Sequence, residues 1–222
     1  MDIVTTFFNI DVLRNAFSLL LEGFGFTILL GAACLFFSVF GGLLLALSRM
    51  YGAQPLRMLA MAYIDVFRAI PLLVLLVLVY YALPFVGIRL SPFWAATTAL
   101  SGVAAAYMAE TFRAGIEAVP WGQFEAAQAL GFSWSRLMVD ITLPQAMRLV
   151  IPPATGVGVG LIKDTALASV VAMPDLLKQA TQAQAFYANP SPLIGAAILY
   201  LALLLPLVRL VGALEKRRKR RR

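Results

Sequence analysis

Three ionisable residues interrupt apolar stretches of this sequence and are the first candidates for chemistry. Arg68 lies in the segment YIDVFRAIPLL, and Lys163 and Asp164 are adjacent in the segment LIKDTAL. A charged group in a bilayer costs about 2.5 to 3.5 kcal/mol on insertion scales unless it is paired or faces water. A guanidinium binds a carboxylate through its planar fork, and a carboxylate accepts hydrogen bonds from an ammonium group. These side chains predict a site for a zwitterion, to which the Thr165 hydroxyl adds a neutral hydrogen-bonding group.

The same residue types also allow purely structural roles. Asp65 precedes Arg68 by three positions, so the two would share a helix face and could form an ion pair. Lys163 could pair with an acid elsewhere in the chain. Glu110 and Arg113 are also three residues apart, and for them we favour an intrahelical ion pair over a gate.

The composition excludes several other kinds of chemistry. The chain has no histidine and a single cysteine, Cys34, so histidine-based catalysis, histidine metal sites and cysteine clusters are excluded. No phosphate loop of the GxxxxGK type is present, and the glycines at 156, 158 and 160 lie in an apolar segment without a preceding strand. Those glycines indicate close helix packing instead. We therefore expect no cofactor and no metal in this chain.

The balance of apolar and charged residues predicts an integral membrane protein. Of the 222 residues, 61% are hydrophobic and 13% are charged, and the mean hydropathy is +0.86. The apolar blocks are continuous rather than alternating, which predicts membrane-spanning helices and not barrel strands. The net charge of +7 does not indicate nucleic acid, because seven of the 18 basic residues lie in the terminal run KRRKRRR, where a tail would meet anionic lipid.

The predicted fold is all-α, with one transmembrane domain over residues 1–222 and no removable signal peptide. A short amphipathic surface helix is expected at residues 11–22 and a polar loop at 174–192. Pro71 should bend the second span, while Pro152 and Pro153 should begin the fourth. The five predicted spans cover about residues 24–47, 58–83, 92–113, 149–173 and 193–211.

The distribution of basic residues predicts the orientation. One side of the membrane would hold Arg49, Arg57, Arg113, Arg136, Arg148 and the tail from Lys216, and the other only Arg14, Arg89 and Lys178. Because cytoplasmic loops carry the excess of Lys and Arg, the C-terminus should be cytoplasmic. With five spans the N-terminus should be outside.

A polar segment at about residues 121–144 separates the third and fourth predicted spans. Ala and Gln favour a helix from about Gln123 to Leu130, and Gly131 allows the chain to turn into a second short helix. Glu125 is expected to be exposed. This segment lies on the side that the basic residues assign to the cytoplasm.

Several stretches resemble the polar amino acid permease branch of ABC importers. They are YIDVFRAIPLL, YYALP, AYMAETFRAGI, GQFEAAQALG, LPQAMR, IPP and LIKDTAL. The resemblance implies a type I ABC importer permease in a bacterial inner membrane, paired with a second permease subunit that is identical or different. It also implies two cytoplasmic ATPase subunits that bind ATP and magnesium, and a solute-binding protein outside. The ATPase-coupling segment would include Glu125, Ala126, Ala127 and Gly131.

The chain departs from the family pattern at positions beside the candidate site. It has Ala69 and Ile70 where the family often has Gly-Thr, and Ala166 where the family often has Ser. The missing hydroxyl suggests an altered pocket, or a heterodimer whose partner supplies most of the binding. The open alternatives are an importer of an opine or a compatible solute, a membrane anchor of an enzyme complex, and a passive channel.

Overall fold

The described chain is helical, and the predicted all-α class is confirmed. The computed structural model describes residues 3–219, with side chains described for residues 5–213, and this part contains no strand. The α-helices are Ile3–Phe7 (α1), Ile10–Tyr51 (α2), Gln54–Ala69 (α3), Leu72–Val77 (α4), Pro92–Glu117 (α5), Trp121–Ala129 (α6), Trp134–Arg136 (α7), Leu143–Asp164 (α8), Leu176–Tyr187 (α9) and Ser191–Lys219 (α10). Two π-helical turns cover Leu78–Ala82 and Leu137–Thr142, and two 3₁₀ turns cover Leu83–Val86 and Thr165–Val171.

The helices form two compact units. The first contains the chain up to Phe36, Ile70–Ser101 and Val159–Arg209, and the second contains Phe37–Ala69, Gly102–Gly158 and the chain from Leu210. Helices α2, α5, α8 and α10 each contribute residues to both units. The single domain expected from the sequence therefore stays a prediction, and the two units are described separately.

The first unit is built around the contact of α2 with α9 and α10. Leu20, Leu176 and Ala196 are buried in one apolar cluster. Gly23 makes this approach possible, because a Cβ there would lie 2.9 Å from the Asp175 carbonyl oxygen and from the Leu176 Cα. Any side chain at position 23 would push α9 away from α2.

The expected separation between a surface helix and the first span is wrong. Helix α2 runs without interruption from Ile10 to Tyr51, through both predicted elements. Gly23 and Gly25 sit inside it, where the surrounding Leu, Phe and Ala residues sustain the hydrogen-bond ladder. Ala16 and Leu20, on the predicted surface helix, are buried.

The second unit packs α2 and α8 against α5. A Cβ on Gly42 would lie 2.5 Å from the Met108 Cβ and 2.9 Å from the Ala105 carbonyl oxygen, so α2 approaches the backbone of α5 directly. Gly115 provides the same access for Val150 of α8. Small residues at such contacts let helices pack closely in a membrane.

The predicted bend at Pro71 is confirmed, and it is a complete break. Helix α3 ends at Ala69, α4 begins at Leu72, and the chain turns by 105° at this point. Proline lacks an N–H and its ring clashes with the preceding turn, so the helix cannot continue through position 71. The second segment ends as expected at Gly87, whose φ is +86°.

Two expectations in the C-terminal half are wrong. Pro152 and Pro153 lie inside α8, which begins at Leu143, and do not start a helix. The segment 174–192 is not an irregular loop, because it contains α9. In both cases a strong helical context overrode the signal from proline or polarity, and at α9 the Asp175 side chain caps the helix.

The number of membrane spans is not fixed by length and composition. Among the described residues, three helical segments are long and apolar enough to cross a membrane: Thr5–Tyr51, Trp134–Val171 and Ser191–Ala213. The bent pair Gln54–Ala69 and Leu72–Val86 would make four. Helix α5 has 26 residues, but its Thr, Ser, Glu and Arg residues lower its hydropathy. The count of five spans stays a prediction.

Candidate functional site

Residues Trp121–Arg136 form a helical hairpin made of a helix, a glycine turn and the first turn of a second helix. The helix and the turn match the prediction, but the second helix is not short, because the helical segment that begins at Trp134 continues to Val171. Helix α6 ends at Ala129, and Gly131 adopts a left-handed φ of +78°. The Gly131 N–H donates to the Gln128 carbonyl (2.9 Å), and the Phe132 N–H donates to the Ala127 carbonyl (3.0 Å). This pair of bonds is the Schellman motif, which favours glycine at the left-handed position. The expected turn at Gly131 is therefore confirmed in its geometry.

The hairpin is anchored on one side and open on the other. Ala127 is 2% exposed and packs with Leu137 and Met138. The Trp134 ring meets the ring of Tyr51, at the end of α2, edge to face at 5.6 Å. Glu125, Ala126 and Gly131 are exposed, as is Trp121. The hairpin thus presents an exposed surface, while Ala127 packs against its own unit.

A charged cluster joins the end of α2 to the end of α5 in the second unit. Glu110 accepts from Arg113 at 2.7 Å and is also bound by Arg49, and Arg113 donates to Glu117 at 2.5 Å. The intrahelical pair predicted for Glu110 and Arg113 is confirmed. Its extension to Arg49 ties two helices together through one carboxylate.

Arg68 lies in the last turn of α3, directly before the break. Its guanidinium carbon lies 5.5 Å from the centroid of the Tyr107 ring of α5, and the side chain is exposed. The ion pair with Asp65 that the spacing allowed is not formed among the described residues. A cation at a helix C-terminus interacts favourably with the helix dipole, and Arg68 retains its N–H donors for an anion.

The other three candidates lie together where α8 ends, in the first unit. Lys163 and Asp164 are exposed and form no ion pair within the described part of the chain. Thr165 is buried, and its hydroxyl donates to the Ile162 carbonyl at 2.7 Å. In this conformation Asp164 is open to a ligand, whereas the Thr165 donor is already used. Roles in substrate binding stay predictions for all four residues.

Asp175 is a buried acid that the sequence analysis did not single out. Its side chain is fully buried and accepts from the backbone N–H groups of Leu177 (3.2 Å) and Lys178 (3.4 Å). The Thr27 hydroxyl accepts from the Leu176 N–H at 3.0 Å, so two side chains cap the first turn of α9. Burial raises the pKa of Asp175 to about 6, although the backbone bonds oppose the shift.

Two contacts lie beyond what spacing could reveal. Arg49 binds Glu110 across 61 positions, and Tyr107 meets Arg68 across two helices. No local pattern encodes either contact. The Asp175 cap did have a signal, because an aspartate after Pro174 and before an Ala-rich and Gln-rich stretch is a helix-start pattern.

Comparison with known proteins identifies the family. Residues 38–220 match the model of the binding-protein-dependent transport system inner membrane component. The chain is 39% identical over 210 residues to the probable glutamine ABC transporter permease protein GlnM of Bacillus subtilis (strain 168), covering 94% of this chain and 97% of that protein. It is 36% identical to the arginine transport system permease protein ArtQ of the same organism, covering 90% and 92%.

Solved structures agree with this assignment. A crystal structure of an amino acid ABC transporter with histidines contains a chain with a TM-score of 0.86 and 33% identity, covering 92% of this chain and 96% of that chain. The methionine ABC transporter MetNI, in an inward-facing conformation, shares the fold with a TM-score of 0.71 at 24% identity, covering 88% and 96%. This chain therefore belongs to the family of inner membrane components of binding-protein-dependent transport systems, as a non-enzymatic ABC permease subunit that works with other permease, ATPase and binding-protein subunits.

Proposed function

We propose that this chain is the permease subunit of an importer that moves polar amino acids across the bacterial inner membrane, driven by ATP. The observation that carries the proposal is the similarity to glutamine and arginine permeases over almost the whole chain. In the first unit, exposed Lys163 and Asp164 lie at the end of α8. In the second unit, exposed Arg68 lies at the end of α3. Interrupted helices with polar groups at the break are a common feature of transporter binding sites.

The proposed assembly contains a second permease subunit, identical or different, two cytoplasmic ATPase subunits and an extracytoplasmic solute-binding protein. The hairpin Trp121–Arg136 would dock on an ATPase, with Glu125 facing a basic residue there. This requires a cytoplasmic hairpin and C-terminus and an external N-terminus. ATP and magnesium would be bound by the ATPase subunits, and this chain would hold no cofactor.

Reconstitution tests the proposed function. The complex purified with its ATPase subunits is placed in liposomes with the solute-binding protein, and labelled solutes are screened for ATP-dependent uptake. The panel contains L-glutamine, L-arginine, L-cystine, octopine and glycine betaine. Uptake of polar amino acids is expected. Transport of octopine or betaine alone would indicate an importer of an opine or a compatible solute. Uptake without ATP would indicate a passive channel. Absence of any ATPase partner would support a membrane anchor.

Glu125→Lys tests the docking role of the hairpin. Reversing this exposed charge should leave ATP hydrolysis by the ATPase subunits but reduce stimulated uptake, because the two surfaces would repel each other. Asp11→Lys is the matched control, since Asp11 is exposed and lies outside the polar segment 121–144. Full transport by Glu125→Lys would exclude the docking role of this residue.

Ile70→Thr tests the effect of the missing threonine. Restoring the hydroxyl that the family often carries should change substrate affinity or range if this position belongs to the pocket. An unchanged profile would count against an altered pocket at Ile70.

A further inference from the structure

We propose that Tyr107 positions the Arg68 guanidinium to receive a carboxylate of the transported molecule. This inference rests on the proposed function and concerns α3 and α5 within the second unit. The Arg68 guanidinium carbon lies 5.5 Å from the Tyr107 ring centroid. A guanidinium within about 6 Å of an aromatic face is attracted by the electron-rich centre of the ring. Tyr107 therefore restricts a side chain that otherwise has many rotamers.

Arg68 forms no ion pair with a neighbouring acid among the described residues. Asp65 forms no ion pair with Arg68 among the described residues. Glu110 follows Tyr107 by one helical turn and lies close enough to interact electrostatically with Arg68, but its two oxygens bind Arg49 and Arg113. The cluster thus supplies its own counter-charges and leaves Arg68 with an excess positive charge.

Contact with a ring face also leaves the hydrogen-bonding capacity of Arg68 intact. A guanidinium over a ring presents its N–H donors outward, in the plane of the fork. That geometry matches the two oxygens of one carboxylate. Both Arg68 and Tyr107 are exposed, the latter by 41%, so a ligand can reach the pair.

The packing of α3 against α5 next to this pair constrains the position of Arg68. The Tyr63 hydroxyl donates to the Gly102 carbonyl at 3.1 Å, and the Tyr63 and Phe67 rings are stacked 4.1 Å apart. A Cβ on Gly102 would lie 2.9 Å from the Phe67 ring, so a side chain at position 102 would displace this ring. Gly102 therefore supports the packing of α3 on α5 beside Arg68, and Tyr107 restricts the direction of the Arg68 side chain.

The test is equilibrium binding of labelled L-arginine and L-glutamine to the purified permease and ATPase complex, without the solute-binding protein. Agmatine, which is arginine without its carboxylate, is measured as a competitor. Tyr107→Leu should weaken binding of both amino acids about two- to fivefold, because the attraction to the ring is lost. Tyr107→Phe keeps the ring face and should restore most of the affinity. Competition by agmatine should be unchanged by either variant.

A double variant separates positioning from general packing. If Tyr107 acts through Arg68, Tyr107→Leu should add nothing in an Arg68→Ala background. Should Tyr107→Leu fail to assemble, phenylalanines with increasing ring fluorination at position 107 keep the shape and weaken the attraction. Affinity for L-arginine should then fall with each added fluorine.

Three results would overturn the inference. One is equal weakening by Tyr107→Leu and Tyr107→Phe, and another is a loss of agmatine competition parallel to that of L-arginine. The third is absence of binding of both amino acids by the unsubstituted complex. In that case ATP-driven uptake in liposomes decides whether the proposed function survives without this site. Normal uptake by the unsubstituted importer together with either of the first two results would leave the function standing and remove the role of Tyr107.

Discussion

Two acids, one in each unit, have different kinds of hydrogen-bond donors. Glu110 in the second unit is bound by the side chains of Arg49 and Arg113. Asp175 in the first unit is fully buried and is bound by peptide N–H groups at the start of α9. The first arrangement matches full charges on long, movable side chains, whereas the second uses fixed dipoles of the backbone.

The difference bears on what each site can do. The cluster around Glu110 can exchange partners, because each arginine can rotate away from its acid. The cap at Asp175 cannot rearrange without unwinding the first turn of α9. Charge pairs of the first kind suit a part that changes conformation, and caps of the second kind suit a part that holds its shape.

The largest effect is expected from Glu110→Ala. This change leaves Arg49 and Arg113 without their shared acceptor in a partly buried place. A cost of about 3 kcal/mol in the free energy of unfolding is expected, at the low end for breaking a buried ion pair. Thermal unfolding in detergent measures it. If the variant unfolds at the same temperature as the unsubstituted protein, the contacts of Arg49 and Arg113 with this carboxylate do not stabilise the fold, and the comparison fails.

A smaller loss is expected from Asp175→Ala. Removing the N-cap should lower stability by about 1.5 kcal/mol, because the N–H groups of Leu177 and Lys178 lose their acceptor. Asp175→Asn keeps a capping oxygen and should lose much less. Hydrogen exchange at the first turn of α9 reports the change locally. Equal exchange in both variants would show that the side chain does not cap the helix.

The pH dependence of stability should follow Asp175. Its pKa of about 6 in the folded protein exceeds the ordinary value of 3.8, so the folded state holds the proton more tightly than the unfolded state does. The stabilisation is full below about pH 4 and is lost as the pH rises through about 6, with a fall of about 1 kcal/mol between about pH 5 and pH 7. Melting temperatures across this range measure it. An equally steep slope in Asp175→Asn would assign the titration to another group.

The smallest effect is expected from Glu117→Gln. The Glu117 side chain is 53% exposed, and its contact with Arg113 is an ion pair on the surface of one helix. Such pairs contribute below about 0.5 kcal/mol, and salt weakens them further. Melting temperatures of Glu117→Gln and Glu110→Ala, each at low and high salt, measure the difference between the two variants. A loss as large as that of Glu110→Ala would mean that the cluster acts as one unit.

Local backbone features were predictable from the sequence, and contacts between distant segments were not. The turn at Gly131 and the break at Pro71 follow from rules on glycine and proline that act within a few residues. The continuity of α2 does not follow from local rules, because two glycines and a change in polarity are typical of a boundary between elements. Helix α9 was missed because polar residues outweighed the cap at Asp175.

The candidate residues could be selected from the sequence, whereas their arrangement could not. Residue type and an apolar context were enough to select Arg68 and Asp164, since a charge in such a context needs a reason. The Tyr107 ring beside Arg68 depends on the packing of α3 against Gly102, which no spacing within α3 encodes. The exposed face of the hairpin was foreseen at Glu125, but the internal role of Ala127 required the positions of Leu137 and Met138.

The π-helical turn Leu137–Thr142 sets the phase between the hairpin and α8. Within it the Leu143 N–H donates to the Met138 carbonyl, five residues back, so this turn accommodates one residue more than an α-helical turn. Each residue of an α-helix rotates the chain by about 100°. Deleting a single residue here would let an ordinary α-helix form and would swing Glu125 by roughly a quarter of a revolution. The direction in which the proposed docking surface faces thus depends on the one extra residue in this turn.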